Sequence, residues 1–184
     1  MLGKFIIAGV ITMAVIATSA EIAFPPKPLI LYNPSPSAPI GFYKLNTDMP
    51  PSLGAQVAAY APQWARKMAD ERGYLPYDYP LIKSVLAVSG DEICYHKSGV
   101  RVPNGAVIPV LVRDHSGREM PALSGCIVLK SDEYFIASPD VQAGFDSRYF
   151  GPVTLTDILG TVDFLGKSKT PNSAQMLKNG GFEG

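Results

Sequence analysis

The sequence predicts a mainly β domain, an antiparallel barrel- or sandwich-like sheet with one short helix, behind an N-terminal apolar segment. Three observations lead there. From residue 80 onward, short apolar runs alternate with turn-forming stretches, as in strands joined by tight connections. Gly and Pro each number 17 and are scattered rather than clustered, which suits many turns and not a disordered tract. Only residues 62–73 carry a clear helical pattern after the N-terminus.

Residues 1–24, MLGKFIIAGVITMAVIATSAEIAF, hold Lys4 as the sole charge before Glu21. As a helix, Phe5 to Ala20 spans about 24 Å, and continuation to Phe24 gives about 30 Å, the thickness of a hydrocarbon core. Two readings stand: an uncleaved anchor with Lys4 inside, which is favoured, and a signal peptide cut after Thr18-Ser19-Ala20. Both export the rest of the chain, and the anchor reading makes the lipid bilayer a partner through residues 5–24. PPKPLILYNPSPSAP (25–39) is an extended linker running into a rigid loop, because its prolines fix φ and remove backbone donors. GFYKL (41–45) and AQVAAYA (55–61) read as strands. In PQWARKMADERG (62–73), Pro62 suits a first helical position and Gly73 a C-terminal cap. Trp64, Ala65, Met68 and Arg72 fall on one face, so this helix is expected to pack. LIKSVLAV (81–88), EICYH (92–96), VIPVLVR (107–113), GCIVLK (125–130) and YFIAS (134–138) complete the strands, with SGDE, SGV and PNGA as turns. The catalytic domain is expected over 25–166, and the polar residues 167–184 read as a flexible tail.

Sixteen Lys and Arg balance sixteen Asp and Glu. With no basic stripe, nucleic acid is not an expected partner. Cys94 and Cys126 suit a disulfide in an exported chain, closing a loop whose constraint contributes roughly 3–4 kcal/mol; two buried free thiols are the alternative. The cysteines and the histidines His96 and His115 lack metal-ligand spacing, so neither a metal site nor a cofactor is expected.

Lys83 is the residue that raises chemistry, since Leu81, Ile82, Val85 and Leu86 surround it. On a solvent face it is unremarkable. On a buried face it must lose charge. An unperturbed lysine is neutral in about 1 molecule in 2,500 at pH 7, and a depression of ~2.5 units, worth about 3.4 kcal/mol, makes it a usable base. A neutral lysine is one way to activate a serine. Ser37 suits the part because Pro36 and Pro39 immobilise its loop, and Ser35 can place a hydroxyl nearby. Both histidines lie in hydrophilic turns, so a Ser-Lys dyad is favoured over a Ser-His-Asp triad. Asp91 and Gly41 read as turn and close-approach residues, and Tyr43 as core.

NPSPSAPIGFY, with N-x-S-x-S-x-P-x-G-x-Y spacing, resembles the first signature of type I signal peptidases, in which the serine of S-x-P-x-G is the nucleophile; the match gives Ser37. LIKSVLAVSGDEI resembles their second signature and gives Lys83 as general base. FDSRYFGPV (145–153) resembles the third, and gives Asp146, Ser147 and Arg148 as structural support. The small domain, DSRYFGP and SGCIVL are similar to conjugative transfer signal peptidases of the TraF type. The resemblance implies a signal-peptidase-like β fold, an oxyanion hole from the Ser37 N–H and the Ser35 hydroxyl, and a preference for small residues before the cut. It also implies an exported precursor such as a prepilin as substrate, an acyl-enzyme resolved by water or by an amine that cyclises the product, and a bacterial inner-membrane enzyme facing the periplasm.

Two positions depart from the pattern. Many relatives have a serine where Gly144 stands, touching the lysine, so water or Ser147 is expected to orient Lys83 instead. Many have Asp where Gln56 stands. The rival readings are a non-enzymatic periplasmic component of a pilus or secretion apparatus, which intact Ser37 and Lys83 argue against, and a cytosolic self-cleaving Ser-Lys regulator, which the exported N-terminus argues against.

Overall fold

A computed structural model describes residues 9–13, 15 and 29–167. Residues 9–13 and 15 are helical; the rest of the expected anchor or signal segment and the tail from 168 lie outside the described residues. Among the described residues, no helix is long and apolar enough to cross a membrane.

Two antiparallel sheets make the domain. The larger has seven strands in the order β1-β2-β11-β3-β4-β9-β10, and the smaller has four, β7-β6-β5-β8. The strands that matter for the site are β1 (Ile30–Asn33), β2 (Gly41–Asn46), β3 (Gln56–Ala59), β4 (Leu81–Ala87), β9 (Glu133–Ala137) and β11 (Ile158–Gly166). β10 is Val153–Thr154; the small sheet holds β5 (Glu92–His96), β6 (Gly99–Arg101), β7 (Val107–Pro109) and β8 (Gly125–Val128). The helices are α1 (Gln63–Glu71) and α2 (Ser147–Phe150).

β4 sits between β3 and β9, and its two faces meet different packing. Val85 joins Val57, Ile136, Ala65 and Ala69 beneath the helices, while Ile82 faces Tyr43, Leu45, Ala58 and Val162. A strand buried on both faces reads as a nearly continuous apolar run, which is what LIKSVLA is apart from its lysine. A third cluster, with Ala87, Ile93, Val100, Leu129 and Phe135, joins the small sheet to the large one.

Several elements differ from the sequence expectation. Residues 30–33 form edge strand β1 rather than linker, since no proline falls between Pro28 and Pro34. The SGV turn opens strand β6. The expected strand over 107–113 stops at Pro109, which ends the pairing with β6 at Gly99. β11, not anticipated, is the longest strand described, and it pairs with both β2 and β3. Gly160 at φ +156° and Gly166 at φ +135° accompany two register shifts along it, and these hide its alternation. On α1 the buried residues are Ala65 and Ala69, while Trp64 is half exposed: small residues let the helix lie close to the sheet, and the indole is left outside.

Cys94 and Cys126 are joined by a disulfide between directly opposed residues of β5 and β8. Glu92 lies beside this pair, but sulfurs bonded to each other are not thiolate ligands.

Candidate active site

Residues 34–40 connect β1 to β2 without regular structure, and one side chain does much of the work of holding them. Asn33, buried at the end of β1, donates through Nδ2 to the carbonyls of Ser35 at 2.8 Å, Ala38 at 3.1 Å and Pro39 at 3.3 Å. Its Oδ1 accepts the Ser35 N–H at 3.2 Å. The Tyr43 hydroxyl donates to the Pro39 carbonyl at 2.8 Å, and the prolines at 34, 36 and 39 fix φ. Backbone groups that no strand satisfies are thus satisfied by side chains. Sequence reading missed this role for Asn33; the asparagine before a proline-serine run is an Asx-turn signal that pointed to it.

At the tip, the Ser37 N–H donates to Ser35 Oγ at 3.3 Å, and the Ser35 hydroxyl donates to Ser37 Oγ at 3.1 Å. The two expected oxyanion donors are therefore engaged within the turn. A substrate oxygen must displace both bonds to use them.

Lys83 lies on β4 opposite Val57 of β3 and is 2% exposed. Its Nζ donates to Ser138 Oγ at 3.1 Å. β4 and β9 pair Ser84 with Ala137 and Val85 with Ile136, and continuing that register by one brings Ser138 opposite Lys83. The Ser138 hydroxyl donates to the Ser37 carbonyl at 2.7 Å, so one serine touches both the lysine and the loop that carries Ser37. Burial pushes the Lys83 ammonium down to about 8; the Asp146 carboxylate opposes this and the Arg148 guanidinium reinforces it. At that value about one lysine in ten is neutral at pH 7.

Asp146 and Arg148 form a buried ion pair, Nε to Oδ1 at 2.7 Å. Asp146 caps α2 by accepting the Arg148 N–H, and its Oδ2 accepts the Ser138 N–H at 3.1 Å. Arg148 also donates to the carbonyls of Pro109, Gln142, Val141 and Gly144. A buried charge pair persists only when its remaining donors and acceptors are filled, and here they are filled by the loop that leads from β9 to α2 and by Pro109 at the end of β7.

Ser37 and Lys83 share a cleft of about 490 Å³ that runs toward Tyr74, Leu75 and Asp114. A second depression, toward Gln56, Ser84 and Ser138, includes both residues as well. The pair thus stands where two grooves meet. The Tyr79 hydroxyl donates to the Tyr32 carbonyl and ties the chain entering β4 to β1, beside the Ser37 loop.

The family described as "Signal peptidase, peptidase S26" matches residues 2–166. The chain belongs to the peptidase S26 family. It is 36% identical over 141 residues to a "Plasmid transfer protein TraF" of Escherichia coli, covering 71% of this chain and 78% of that one. It is 37% identical over 140 residues to a "Probable conjugal transfer protein TraF" of Sinorhizobium fredii, covering 70% and 72%. A crystal structure of a signal peptidase I from Enterococcus faecalis is similar at a TM-score of 0.38 and 16% identity, covering 62% of this chain and 98% of that chain.

Within this S26 chain, Gly144 has a steric reason. A Cβ there would meet Arg148 Nη2 at 2.7 Å, Asp146 Oδ2 at 3.1 Å and the Val141 carbonyl at 3.2 Å. The guanidinium occupies the space a serine needs. Nor does Ser147 orient Lys83, as expected from sequence: its Oγ accepts the Ile136 N–H at 3.1 Å. The contact to Lys83 comes from Ser138, which sequence reading passed over as the end of a strand. Gln56 lies opposite Ser84, one residue along from the lysine.

Proposed function

We propose that this chain is a membrane-anchored serine endopeptidase of signal peptidase type, acting on exported precursor proteins on the periplasmic side of a bacterial inner membrane. The observation that carries the reading is Lys83: a lysine buried beside a cleft, with its pKa lowered, tethered through one hydroxyl to the loop bearing Ser37. Burying the ammonium costs stability that the hydrogen bond to Ser138 and the Asp146 carboxylate offset only in part.

In the proposed cycle, neutral Lys83 takes the Ser37 hydroxyl proton as Oγ attacks the peptide carbonyl carbon. The oxyanion takes the hydrogen bonds of the Ser37 N–H and the Ser35 hydroxyl. The Lys83 ammonium then returns the proton to the leaving nitrogen, the C–N bond breaks, and an acyl-enzyme remains. Neutral Lys83 next takes a proton from a water, or from an amine of the acyl fragment, as that nucleophile attacks the ester carbon; the Lys83 ammonium then returns the proton to Ser37 Oγ as the ester C–O bond breaks. Two grooves that share Ser37 and Lys83 suit a chain cut internally. Similarity to TraF proteins favours a conjugative pilin precursor, and attack by the acyl fragment's own amine gives a cyclic pilin.

Co-expression of a candidate pilin precursor with the full chain tests this. Wild type is expected to release a shortened product, and Ser37→Ala and Lys83→Ala to leave the precursor intact. The product mass separates linear from cyclic outcomes by one water. Undiminished processing by either variant contradicts the dyad.

A further inference from the structure

Ser138 has one proton and two lone pairs, and its neighbours decide how they are used. Its Oγ lies 2.7 Å from the Ser37 carbonyl oxygen. A carbonyl has no hydrogen, so the serine must be the donor there. Its single proton is thereby committed. Towards Lys83, 3.1 Å away, the same oxygen can only accept.

That direction matters because a neutral amine carries two N–H groups and one lone pair. If Ser138 donated to Lys83, it would occupy the lone pair that a general base needs. With its proton held by the Ser37 carbonyl, Ser138 takes an N–H from Lys83 and leaves the lone pair unengaged by it. The backbone of Ser138 is fixed in turn, since its N–H donates to Asp146 Oδ2 at 3.1 Å and that carboxylate is locked to Arg148.

We propose that Ser138 is a positioning residue that aims the Lys83 lone pair, with the carbonyl of Ser37 itself setting the direction of the hydrogen bond. The proposal rests on the Ser37-Lys83 reading. It gives the Asp146-Arg148 pair a route to the lysine through the Ser138 backbone. It also says why the hydroxyl comes from the end of β9, because the Arg148 guanidinium fills the space beside Gly144.

The charged groups acting on Lys83 are Asp146, which favours the ammonium, and Arg148, which disfavours it; across β3, its partner Val57 carries none. An accepting hydroxyl also favours the ammonium. Ser138→Ala should therefore lower the Lys83 titration midpoint, and Ser138→Thr, which keeps Oγ, should restore it. The midpoint is read from the lysine Cε chemical shift of the full chain in detergent, labelled with ¹³C-lysine and assigned with Lys83→Arg. Processing of the precursor should fall on the order of ten- to a hundredfold in kcat for Ser138→Ala, with KM nearly unchanged, and recover in Ser138→Thr. Gly144→Ser should not rescue Ser138→Ala. A Ser138→Ala chain with an unmoved midpoint and wild-type kcat overturns the proposal. If Ser37→Ala or Lys83→Ala still processes the precursor, the dyad itself fails, whatever Ser138 does.

Discussion

Lys83 sets a conflict between stability and chemistry that one residue can expose. Its folded pKa, about 8, lies below the 10.5 of a free lysine. Below pH 8 both folded and unfolded chains carry the charge, and the folded state bears the full desolvation cost. Between about 8 and 10.5 the unfolded chain binds more protons, so folding stability rises with pH across that window. Lys83→Met should therefore stabilise the protein at pH 7 by up to about 3 kcal/mol, with the gain fading as pH approaches 10.5. Thermal unfolding of both chains from pH 6 to 10.5 checks this; a less stable Met variant at pH 7 would show that the lysine's contacts outweigh its desolvation. At this scale the sequence was partly legible. Ser37 and Lys83 stand in short local motifs, so they could be singled out. Ser138 could not, because its contact to Lys83 exists only once β4 and β9 pair in one register. The bracing role of Asn33 was signalled only by its place before a proline-serine run.

Among elements, β11 shows best why strand reading fails. It holds the sheet together by lying between β2 and β3, yet its sequence ILGTVDFLG breaks the two-residue period at Gly160. The pairing with β3 shifts register there, between Ile158 and Gly160. Gly41, at the start of β2, meets the other end of β11: its φ is +151°, and a Cβ would lie 2.2 Å from the Gly166 carbonyl oxygen. The close approach foreseen at Gly41 is thus to β11. Gly41→Ala should cost on the order of 1–3 kcal/mol or more and displace the loop that carries Ser37. Equilibrium denaturation alongside precursor processing measures both; a variant of unchanged stability contradicts the close contact. The short helix α1 was legible from its period, and its buried face in part. Ala65 and Met68 pack as expected, but Trp64 is left half exposed and Ala69, which the expected face did not include, is buried beside Ala65.

Across the whole molecule, the mainly β class followed from turn spacing, while the division into two sheets did not, because apolar runs of similar length serve both. The small sheet is joined to the large one through apolar contacts and carries the Cys94-Cys126 disulfide, whose residues are 32 apart in sequence. Cys94→Ser with Cys126→Ser should cost roughly 3–4 kcal/mol on the chain-entropy model. Processing at low temperature should persist, since neither sulfur lines the cleft of Ser37 and Lys83. Melting in the presence and absence of reductant reads the first part. A melting temperature insensitive to reductant contradicts it.

The most direct measurement of the account is turnover of a quenched peptide spanning the precursor's cut site by the purified full chain. It should be followed from pH 6 to 10 for wild type, Ser37→Ala and Lys83→Ala. The expected result is a wild-type kcat/KM that rises with pH through about 8, as Lys83 loses its proton, and a loss of at least about a hundredfold in each variant. Turnover by either variant at the wild-type rate, with the same dependence on pH, would contradict the Ser37-Lys83 dyad.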